Sequence, residues 1–485
     1  MTTILVLDVG TTTLRAAVVD ERLGIVAIDA RAMRPSVPAP GLVEFDPVEM
    51  AAAAVAAAES VIARSPGAPS VVGITNQRAS TVMWDRATGV PLGPGIGWQD
   101  LRTVGECIRA RQDGLHLAPN QTATKAAWLL QHHLDGRRPE DVCIGTVDSW
   151  LVWTLTGGAA HVTDHSNAAV TGLCGPDDVR WNRRVLDTFG IPATALAAIV
   201  PSSGVIAAAT ALTGAPPIAA LIGDQQASLV GQGCVESGAT KITFGTGGML
   251  DMCLGADPPA TARRSGHGTY PIVAWSRGDE ITYALEAIML SAGACVEWLR
   301  DLGLVDSAAA TGDVAATVAS ADGVTFVPAL SGLGTPHWDF GAAGTLAGLT
   351  RGSTSAHVVR AVLDGVAHRG VDLLEATIAD AMVPRPASLR VDGGMSANPV
   401  FVQALADLAG LPVEVSPVTD ATTRGAAFLA GLAVGVWNDI SDAADLWSPS
   451  HVVAPSSDRS ADRSRWSRSI ERSRSWIPEL SSLDF

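Results

Sequence analysis

The residues near the N-terminus that could do chemistry are one carboxylate and a group of hydroxyls. Asp8 interrupts the apolar run ILVLDV, and Gly10–Thr13 follows before a second apolar run begins. A tight turn presents consecutive backbone N–H groups, and threonine hydroxyls add donors, so the turn can hold phosphate oxygens. A carboxylate one strand-end away can hold Mg²⁺ through water, because Mg²⁺ keeps part of its hydration shell. The pattern therefore predicts a phosphate and metal site, against the plainer interpretation of an ordinary hairpin turn.

Comparable groups recur further along the chain. Asp224 ends an apolar segment, Gly245–Gly247 is a Gly-Thr-Gly turn between two apolar runs, and Asp392 stands before a Gly-Gly turn. A carboxylate in a cleft can accept the proton of an alcohol that attacks a γ-phosphate. The lysine-bearing phosphate loop is excluded, because neither of the chain's two lysines, Lys125 and Lys241, follows a glycine as that motif requires.

Strands and hairpins are the elements that must position these groups. Ile4–Val9, a Gly-Thr turn and Leu14–Val19 predict strand–turn–strand, whereas a Rossmann or P-loop unit needs strand–loop–helix here. KITFGTGGMLDMCL repeats the hairpin midway along the chain. The echo predicts two copies of a hairpin-led α/β domain facing each other, and 485 residues are enough for two cores. We also expect a helix over Ala284–Arg300 and a polar, solvated helix in the Ser- and Arg-rich tail from Ser456.

Composition narrows the classes of partner. The net charge of −16 disfavours a nucleic-acid or anionic-membrane partner, because their phosphates would be repelled. The six cysteines are scattered without a Cys-x-x-Cys pair, which is typical of free thiols in a reducing compartment. The N-terminus has no basic leader, and no apolar run reaches membrane-spanning length. We therefore expect a cytoplasmic protein with neither nucleic acid nor membrane as a partner.

Long stretches in order along the chain resemble the FGGY family of carbohydrate kinases, and its glycerol kinase branch in particular. They include LDVGTTTLRA at 7–16, GITNQR at 73–78, GDQQASLVGQGCV at 223–235, TFGTGG at 243–248 and LRVDGGMSANPVF at 389–401. The resemblance implies an α/β fold of two ribonuclease-H-like domains of the actin/hexokinase ATPase type, facing a central cleft. The resemblance implies an N-terminal domain over 1–236, which carries the substrate site and the first phosphate segment. A nucleotide-binding C-terminal domain follows over 237–440, and a polar C-terminal helix or tail over 441–485.

The same resemblance implies ATP and Mg²⁺ and assigns roles by position. Asp224 matches the catalytic carboxylate, and Asp8 and Asp224 match the acids that hold Mg²⁺, largely through water. The positions that match the nucleotide site are Thr11, Thr12, Thr13, Arg15, Thr246, Gly247, Gly293, Glu297, Gly394 and Asn398. The positions that match the substrate site are Arg78, Ala79, Trp98, Asn120, Asp224, Gln225 and Met249. We expect Asp8 and Asp224 to converge on one cleft from the two halves of the chain.

Four of these positions depart from the glycerol kinase pattern. Ala79 replaces a Glu, Asn120 a Tyr, Met249 a Phe and Glu297 a Gln. Losing one acceptor for a hydroxyl that would otherwise be buried unpaired costs about 1–3 kcal/mol, so we expect a roomier pocket with altered polarity.

The predicted function is ATP-dependent phosphorylation of a terminal hydroxyl on a small polyol or sugar, either glycerol or a C4–C5 polyol. A ketopentose kinase of the xylulose or ribulose type is one alternative, and a catalytically silent sugar-sensing protein on the same fold is another. The resemblance also suggests a homo-oligomer, a dimer or a tetramer.

Overall fold

The structure is a computed structural model that describes residues 2–174, 179–259, 264–417 and 420–483. In the first half, apolar and β-branched runs form strands β1 (Ile4–Val9), β2 (Thr13–Val19), β3 (Ile25–Ala32), β4 (Glu44–Phe45), β5 (Val71–Asn76), β6 (Thr81–Asp85), β7 (Gly95–Ile96), β8 (Val142–Thr146), β9 (Val162–Asp164), β10 (Ala198–Val200), β11 (Ser203–Ala208) and β12 (Pro217–Gly223). The helices of this half are α1 (Pro47–Arg64), α2 (Val104–Gln112), α3 (Thr122–His133), α4 (Val147–Leu155), α5 (His165–Ala169), α6 (Arg183–Phe189) and α7 (Asp224–Gly231).

The second half repeats this alternation of strands and helices. Its strands are β13 (Thr240–Phe244), β14 (Gly248–Gly255), β15 (Tyr270–Arg277), β16 (Glu280–Met289), β17 (Thr325–Val327), β18 (Thr345–Ala347), β19 (Leu389–Asp392), β20 (Val413–Val415) and β21 (His451–Val453). Its helices are α8 (Gly293–Asp301), α9 (Thr311–Ala316), α10 (Ser355–Ala381), α11 (Pro399–Ala409), α12 (Ala421–Ala433), α13 (Asp442–Asp445), α14 (Ser460–Ser473) and α15 (Pro478–Ser481). Among the described residues, no helix is both long enough and apolar enough to span a bilayer.

One continuous sheet runs through both halves in the order β21-β20-β19-β13-β14-β16-β15-β11-β12-β5-β1-β2-β3. In the first half β1 and β2 form an antiparallel hairpin, and β1, β5 and β12 are parallel. In the second half β13 and β14 form the hairpin, and β13, β19 and β20 are parallel. The order β3-β2-β1-β5-β12 thus recurs as β16-β14-β13-β19-β20. This repeat confirms the two copies of a hairpin-led α/β domain.

Helices cover both faces of the sheet, which is why its parallel strands read as nearly continuous apolar runs. α1 and α4 pack on one face of β1, β2 and β5. α7 and α12 pack together on the other face, against β1 and β12. In the second half, α10 and α11 cover β13 and β19.

α7 and α12 cross at two glycines. A Cβ on Gly231 would lie 1.9 Å from the Ala421 carbonyl oxygen, and a Cβ on Gly425 would lie 1.9 Å from that of Ala227. Only glycine allows the two helices to approach this closely. Because α7 begins at Asp224, the crossing also sets the position of that carboxylate.

The helix expected over Ala284–Arg300 is wrong in its first part. Residues up to Met289 belong to β16, which pairs with β14 and β15, and the helix begins only at Gly293. A short apolar run does not distinguish a buried strand from a buried helix. Pairing with two neighbouring strands decides the structure of this segment.

The polar helix expected in the tail is present as α14, but the expectation that it is solvated is wrong for one of its faces. β21 adds an edge strand to the main sheet, and α14 buries Trp466 and Ile470. Arg463 of α14 pairs with the Asp372 carboxylate of α10 at 2.6 Å. The Ser- and Arg-rich pattern hides this role, because two apolar residues four apart suffice to dock one helical face.

Candidate active site

The carboxyl ends of β1, β5 and β12 meet at one edge of the sheet. Asp8 of β1 lies opposite Thr75 of β5, and Thr75 lies opposite Ile222 of β12. Asp224 follows β12 as the first residue of α7. Two strand spacings, roughly 10 Å, separate β1 from β12. Asp8 and Asp224 therefore end at the same edge. The expectation that they come from different halves is wrong, since both strands belong to the first repeat.

Asp8 is only 4% exposed and receives two hydroxyls from the second half of the chain. Thr422 Oγ1 donates to Asp8 Oδ2 at 2.7 Å, and Thr423 Oγ1 lies at 3.3 Å from the same oxygen. The Arg15 guanidinium is 3.5 Å away. Burial raises the pKa of Asp8; Thr422 and Arg15 work against that rise, and the negative charge of Asp224 adds to it. The first turn of α12 thus completes the Asp8 site, and no local sequence signal had pointed to these threonines.

Asp224 is the more open of the two acids, with 28% of its side chain exposed. The Gln225 backbone N–H donates to its Oδ1 at 2.8 Å, and Arg78 Nε lies 3.5 Å from the same oxygen. Burial raises the pKa of Asp224, and Arg78, the Gln225 N–H and Lys241 act in the opposite direction. A Cβ on Gly223 would lie 2.6 Å from Gln226 Oε1 and 2.8 Å from Arg78 Cδ, so glycine at this position leaves room for these two side chains. The arrangement suits a carboxylate that exchanges a proton.

Arg78 links the two repeats across the cleft. Its Nη2 lies 2.7 Å from Glu286 Oε2 of β16 and 3.5 Å from the Met249 sulfur of β14. Burial disfavours the charged guanidinium, but Glu286 and Asp224 outweigh burial and raise the pKa of Arg78. Sequence reasoning missed Glu286, because it lies in the segment expected to be helical. The structure brings Arg78, Met249, Asp224 and Gln225 together, as predicted for the substrate set.

Ala79 holds an unusual backbone conformation beside Arg78. Its φ of 61° lies in the left-handed region, which residues other than glycine seldom adopt. Its carbonyl accepts hydrogen bonds from the Thr81 and Thr122 hydroxyls, both at 3.1 Å. Asn120 is exposed in the turn two residues before Thr122. The Ala79 loop is thus tied to the start of α3, close to the position of Asn120.

Trp98 joins the substrate loop to the first phosphate turn. Its indole Nε1 donates to Thr11 Oγ1 at 3.0 Å, its backbone N–H donates to Ser80 Oγ at 3.0 Å, and its carbonyl accepts from Lys125 Nζ at 3.1 Å. Inside the turn, the Gly10 N–H donates to the Thr13 carbonyl at 3.0 Å. Thr12 is exposed at its tip. The predicted substrate and phosphate residues therefore touch at Trp98 and Thr11.

The second phosphate turn packs on the start of α8. The Gly293 N–H donates to the Gly245 carbonyl at 2.8 Å, and the Ala294 N–H donates to the Thr246 carbonyl at 3.1 Å. Glycine is required at 293, since a Cβ there would lie 2.6 Å from the Gly245 oxygen. Gly247 is also confined, because its Cβ would lie 2.7 Å from the Met289 oxygen. Thr246, Gly247 and Gly293 thus form one unit.

The three remaining nucleotide positions are one exposed glycine and two side chains that already have partners in the protein. Gly394 is exposed after the end of β19. Asn398 caps α11, with its Oδ1 accepting the Val400 and Phe401 N–H groups. Glu297 forms an ion pair with Arg300, one turn along α8. Asn398 and Glu297 therefore have structural partners in addition to any nucleotide contact.

Comparison with known proteins identifies the family. Residues 3–231 match the N-terminal domain of the FGGY family of carbohydrate kinases, and residues 240–434 match its C-terminal domain. The chain belongs to the FGGY family. The glycerol kinase of Trichlorobacter lovleyi is 43% identical over 499 aligned residues, covering 98% of this chain and 99% of that protein. The glycerol kinase of Aromatoleum aromaticum is 42% identical over 98% of this chain and all of its own length.

Solved structures agree with this assignment. The crystal structure of Plasmodium falciparum glycerol kinase with ADP superposes with a TM-score of 0.91 at 29% identity, covering 98% of each chain. The xylulose kinase of Lactobacillus acidophilus gives a TM-score of 0.85 over 99% of each chain, but its 21% identity shows the fold alone. This FGGY protein is a glycerol-kinase-like carbohydrate kinase: it transfers a phosphoryl group from a nucleotide to an alcohol group of a small molecule.

Proposed function

We propose that this FGGY kinase transfers the γ-phosphoryl group of ATP to a terminal hydroxyl of a small polyol, with Asp224 as the general base. The main support for this proposal is the position of Asp224. It is the first residue of α7, its side chain is partly exposed, and it lies beside the Arg78 guanidinium and the Gln225 N–H. A base must reach the proton it removes and must have a suitable pKa. Burial raises the pKa of Asp224 and so strengthens the carboxylate as a base.

Arg78 orients the alcohol and responds to domain closure in this proposal. Its guanidinium is shared between Asp224 of the first repeat and Glu286 of the second. A relative movement of the two repeats would therefore change the hydrogen-bonding groups around the substrate. Closure that excludes water favours transfer to the alcohol over ATP hydrolysis.

Mg²⁺ fits the donors at the edge of β1 and β12. Asp8 and Asp224 supply carboxylate oxygens, the ligand type that Mg²⁺ prefers, and Mg²⁺ commonly uses one or two carboxylates together with water and substrate phosphates. Among the described residues there is no cluster of three or more metal-ligating side chains. When bound, Mg²⁺ would neutralise charge on the transferred phosphoryl group.

The two Gly-Thr turns are the proposed phosphate sites. Thr11, Thr12, Thr13 and Arg15 belong to the first turn and its strand, and Thr246 and Gly247 to the second. Gly293, Glu297, Gly394 and Asn398 belong to the proposed nucleotide side of the cleft. The Asn398 carboxamide oxygen already caps α11. We therefore assign the adenosine contact at this position to the turn that contains Asn398, and not to its side-chain oxygen.

The polarity of the pocket favours a polyol that needs few acceptors from the protein. Ala79 contributes a methyl group where glycerol kinases carry a carboxylate, and Arg78 Nη1 is buried with no hydrogen-bond partner among the described residues. Arg78 Nη1 therefore offers a donor beside Asp224, while the pocket has one carboxylate acceptor fewer than the glycerol kinase pattern. A Met side chain at 249 adapts to ligands of different shape. We propose glycerol or a C4–C5 polyol as substrate, with Asn120 near the mouth of the pocket.

A coupled ADP-release screen tests this proposal. The screen covers glycerol, tetritols, pentitols, hexitols and ketopentoses at saturating ATP and Mg²⁺. We expect polyol-dependent ADP formation that falls by at least about 100-fold in Asp224→Asn, since removal of a general base typically costs 10²–10⁴-fold. A clear preference for a ketopentose would replace the polyol assignment, and full activity in Asp224→Asn would remove the role of the base.

Three further properties stay proposals. We propose a homodimer or homotetramer, to be measured by light scattering on the full chain, and a cytoplasmic location, where ATP is available. We also retain domain boundaries at 236 and 440, since β12 and α7 precede the first and α12 ends shortly before the second.

A further inference from the structure

The chain has two lysines, and both side chains are fully buried against residues of the proposed substrate pocket. Lys125 Nζ donates to the Trp98 carbonyl at 3.1 Å, and Lys241 Nζ donates to Gln225 Oε1 at 3.0 Å. Burying an ammonium group is unfavourable unless it is paired and hydrogen-bonded. Each of the two buried ammonium groups thus donates a hydrogen bond to a residue of the proposed substrate site.

The buried ammonium group of Lys241 makes two hydrogen bonds and one ion pair. An ammonium group has three N–H donors and no acceptor. The three partners of Lys241 Nζ are Asp251 Oδ2 at 2.7 Å, Gln225 Oε1 at 3.0 Å and Thr243 Oγ1 at 3.1 Å. Lys241 and Asp251 also lie directly opposite each other in the β13–β14 hairpin, so the sheet register holds the ion pair in place.

The ion pair fixes which end of the Gln225 amide faces the cleft. Oxygen and nitrogen of a carboxamide are otherwise hard to tell apart, and the hydrogen-bond network decides between them. Because Lys241 can only donate, the Gln225 atom that faces it must be the oxygen. The Nε2 group, with two donors, is then the end of the amide that lies away from Lys241.

We infer that Lys241 and Asp251 are positioning residues that hold Gln225 with its Nε2 directed to the substrate, an assignment that rests on the proposed function of this pocket. The substrate oxygen that meets Gln225 must then accept a hydrogen bond. Without the ion pair the amide is free to rotate and to present either end. Neither Lys241 nor Asp251 touches the reacting atoms. Their charges act in opposite directions on the pKa of Asp224, so the inferred effect of the ion pair as a whole passes mainly through Gln225.

The first experiment is a double-mutant cycle on polyol kinetics. Removing Lys241 alone would leave the Asp251 carboxylate buried and unpaired, so the pair is replaced together as Lys241→Met/Asp251→Leu. We expect KM for the polyol to rise about tenfold with little change in kcat, as for the loss of one hydrogen bond. Gln225→Leu should raise KM to a similar extent, and the variant with all three substitutions should be no worse than Gln225→Leu.

A neighbouring ion pair provides the matched control. Arg390 and Glu414 lie opposite each other on β19 and β20, with 3.2 Å between Arg390 Nε and Glu414 Oε2. Arg390→Met/Glu414→Leu removes a cross-strand pair of the same sheet without touching Gln225, and we expect an unchanged KM. An unchanged KM in Lys241→Met/Asp251→Leu, or a rise of about a hundredfold in the triple variant, would overturn the inference, because independent effects multiply.

A second readout needs no enzyme activity. Full-length protein labelled with ¹⁵Nζ-lysine has two lysine side-chain resonances, and Lys241→Arg identifies one of them by removing it. We expect Gln225→Leu to shift the Lys241 resonance and to leave that of Lys125 in place. Absence of a shift would overturn the inference even if the cycle variants fail to fold. Failure of the proposed function is a separate outcome: wild-type protein without polyol-dependent ADP formation.

Discussion

Gly425→Ala tests whether the close crossing of α7 and α12 positions the catalytic acid. The new Cβ would lie 1.9 Å from the Ala227 oxygen, about 1.5 Å short of the 3.4 Å at which ordinary contact begins. That oxygen belongs to α7, one turn from Asp224, so relief of the clash must move the helix that carries the base. A displacement of about 1 Å at a reacting group can cost about 100-fold in rate, and overpacking typically costs about 1–3 kcal/mol of stability.

The assay is ADP release at saturating ATP, with thermal unfolding measured in parallel. We expect kcat/KM in Gly425→Ala to fall by about 100-fold, together with a lower melting temperature. Gly105→Ala is the matched control, because it is also a helical glycine and the nearest side-chain atom to its new Cβ is 3.6 Å away. We expect the control to retain activity and to gain up to about 1 kcal/mol from better helix propensity. Wild-type kcat/KM in Gly425→Ala would refute the reasoning.

Three further predictions concern the pocket, one buried histidine and the tail. Ala79→Glu restores a carboxylate acceptor, so we expect the ratio of kcat/KM for glycerol over C4–C5 polyols to rise about tenfold; an unchanged ratio would contradict the pocket assignment. Burial lowers the pKa of His368 to about 4 from 6.5, so the unfolded state binds the proton more readily and stability is lost as pH falls from 6.5 to 4. His368→Gln should remove about 3 kcal/mol of that loss, and melting temperatures measured across this pH range check it. Trp466 is 2% exposed and stacks on His368, so Trp466→Ala should cost about 3–5 kcal/mol in chemical denaturation without changing KM, whereas a solvated helix would give almost no loss.

Local sequence patterns predicted the strands and turns that carry the first acid and the first phosphate turn. Ile4–Val9 is β1 as predicted, and the hairpin KITFGTGGMLDMCL is β13 and β14. These elements are readable because a strand and its turn are specified within about ten neighbouring residues. The helix expected over Ala284–Arg300 was half wrong for the complementary reason: whether a short apolar run becomes a strand depends on the strands beside it.

The sequence alone determined the kinds of group at the site and their order along the chain: two strand-end acids, two Gly-Thr turns and the residues after Asn-Gln-Arg. Only the tertiary structure decided their partners. Thr422 bonds Asp8 from 414 residues away in the chain, and Arg78 meets Glu286 across the cleft. The Lys241–Gln225 contact that orients the amide is likewise visible only in the folded chain. The physical reason is that turn and strand formation depend on local backbone preferences, whereas pairing of buried polar groups depends on how the two repeats pack.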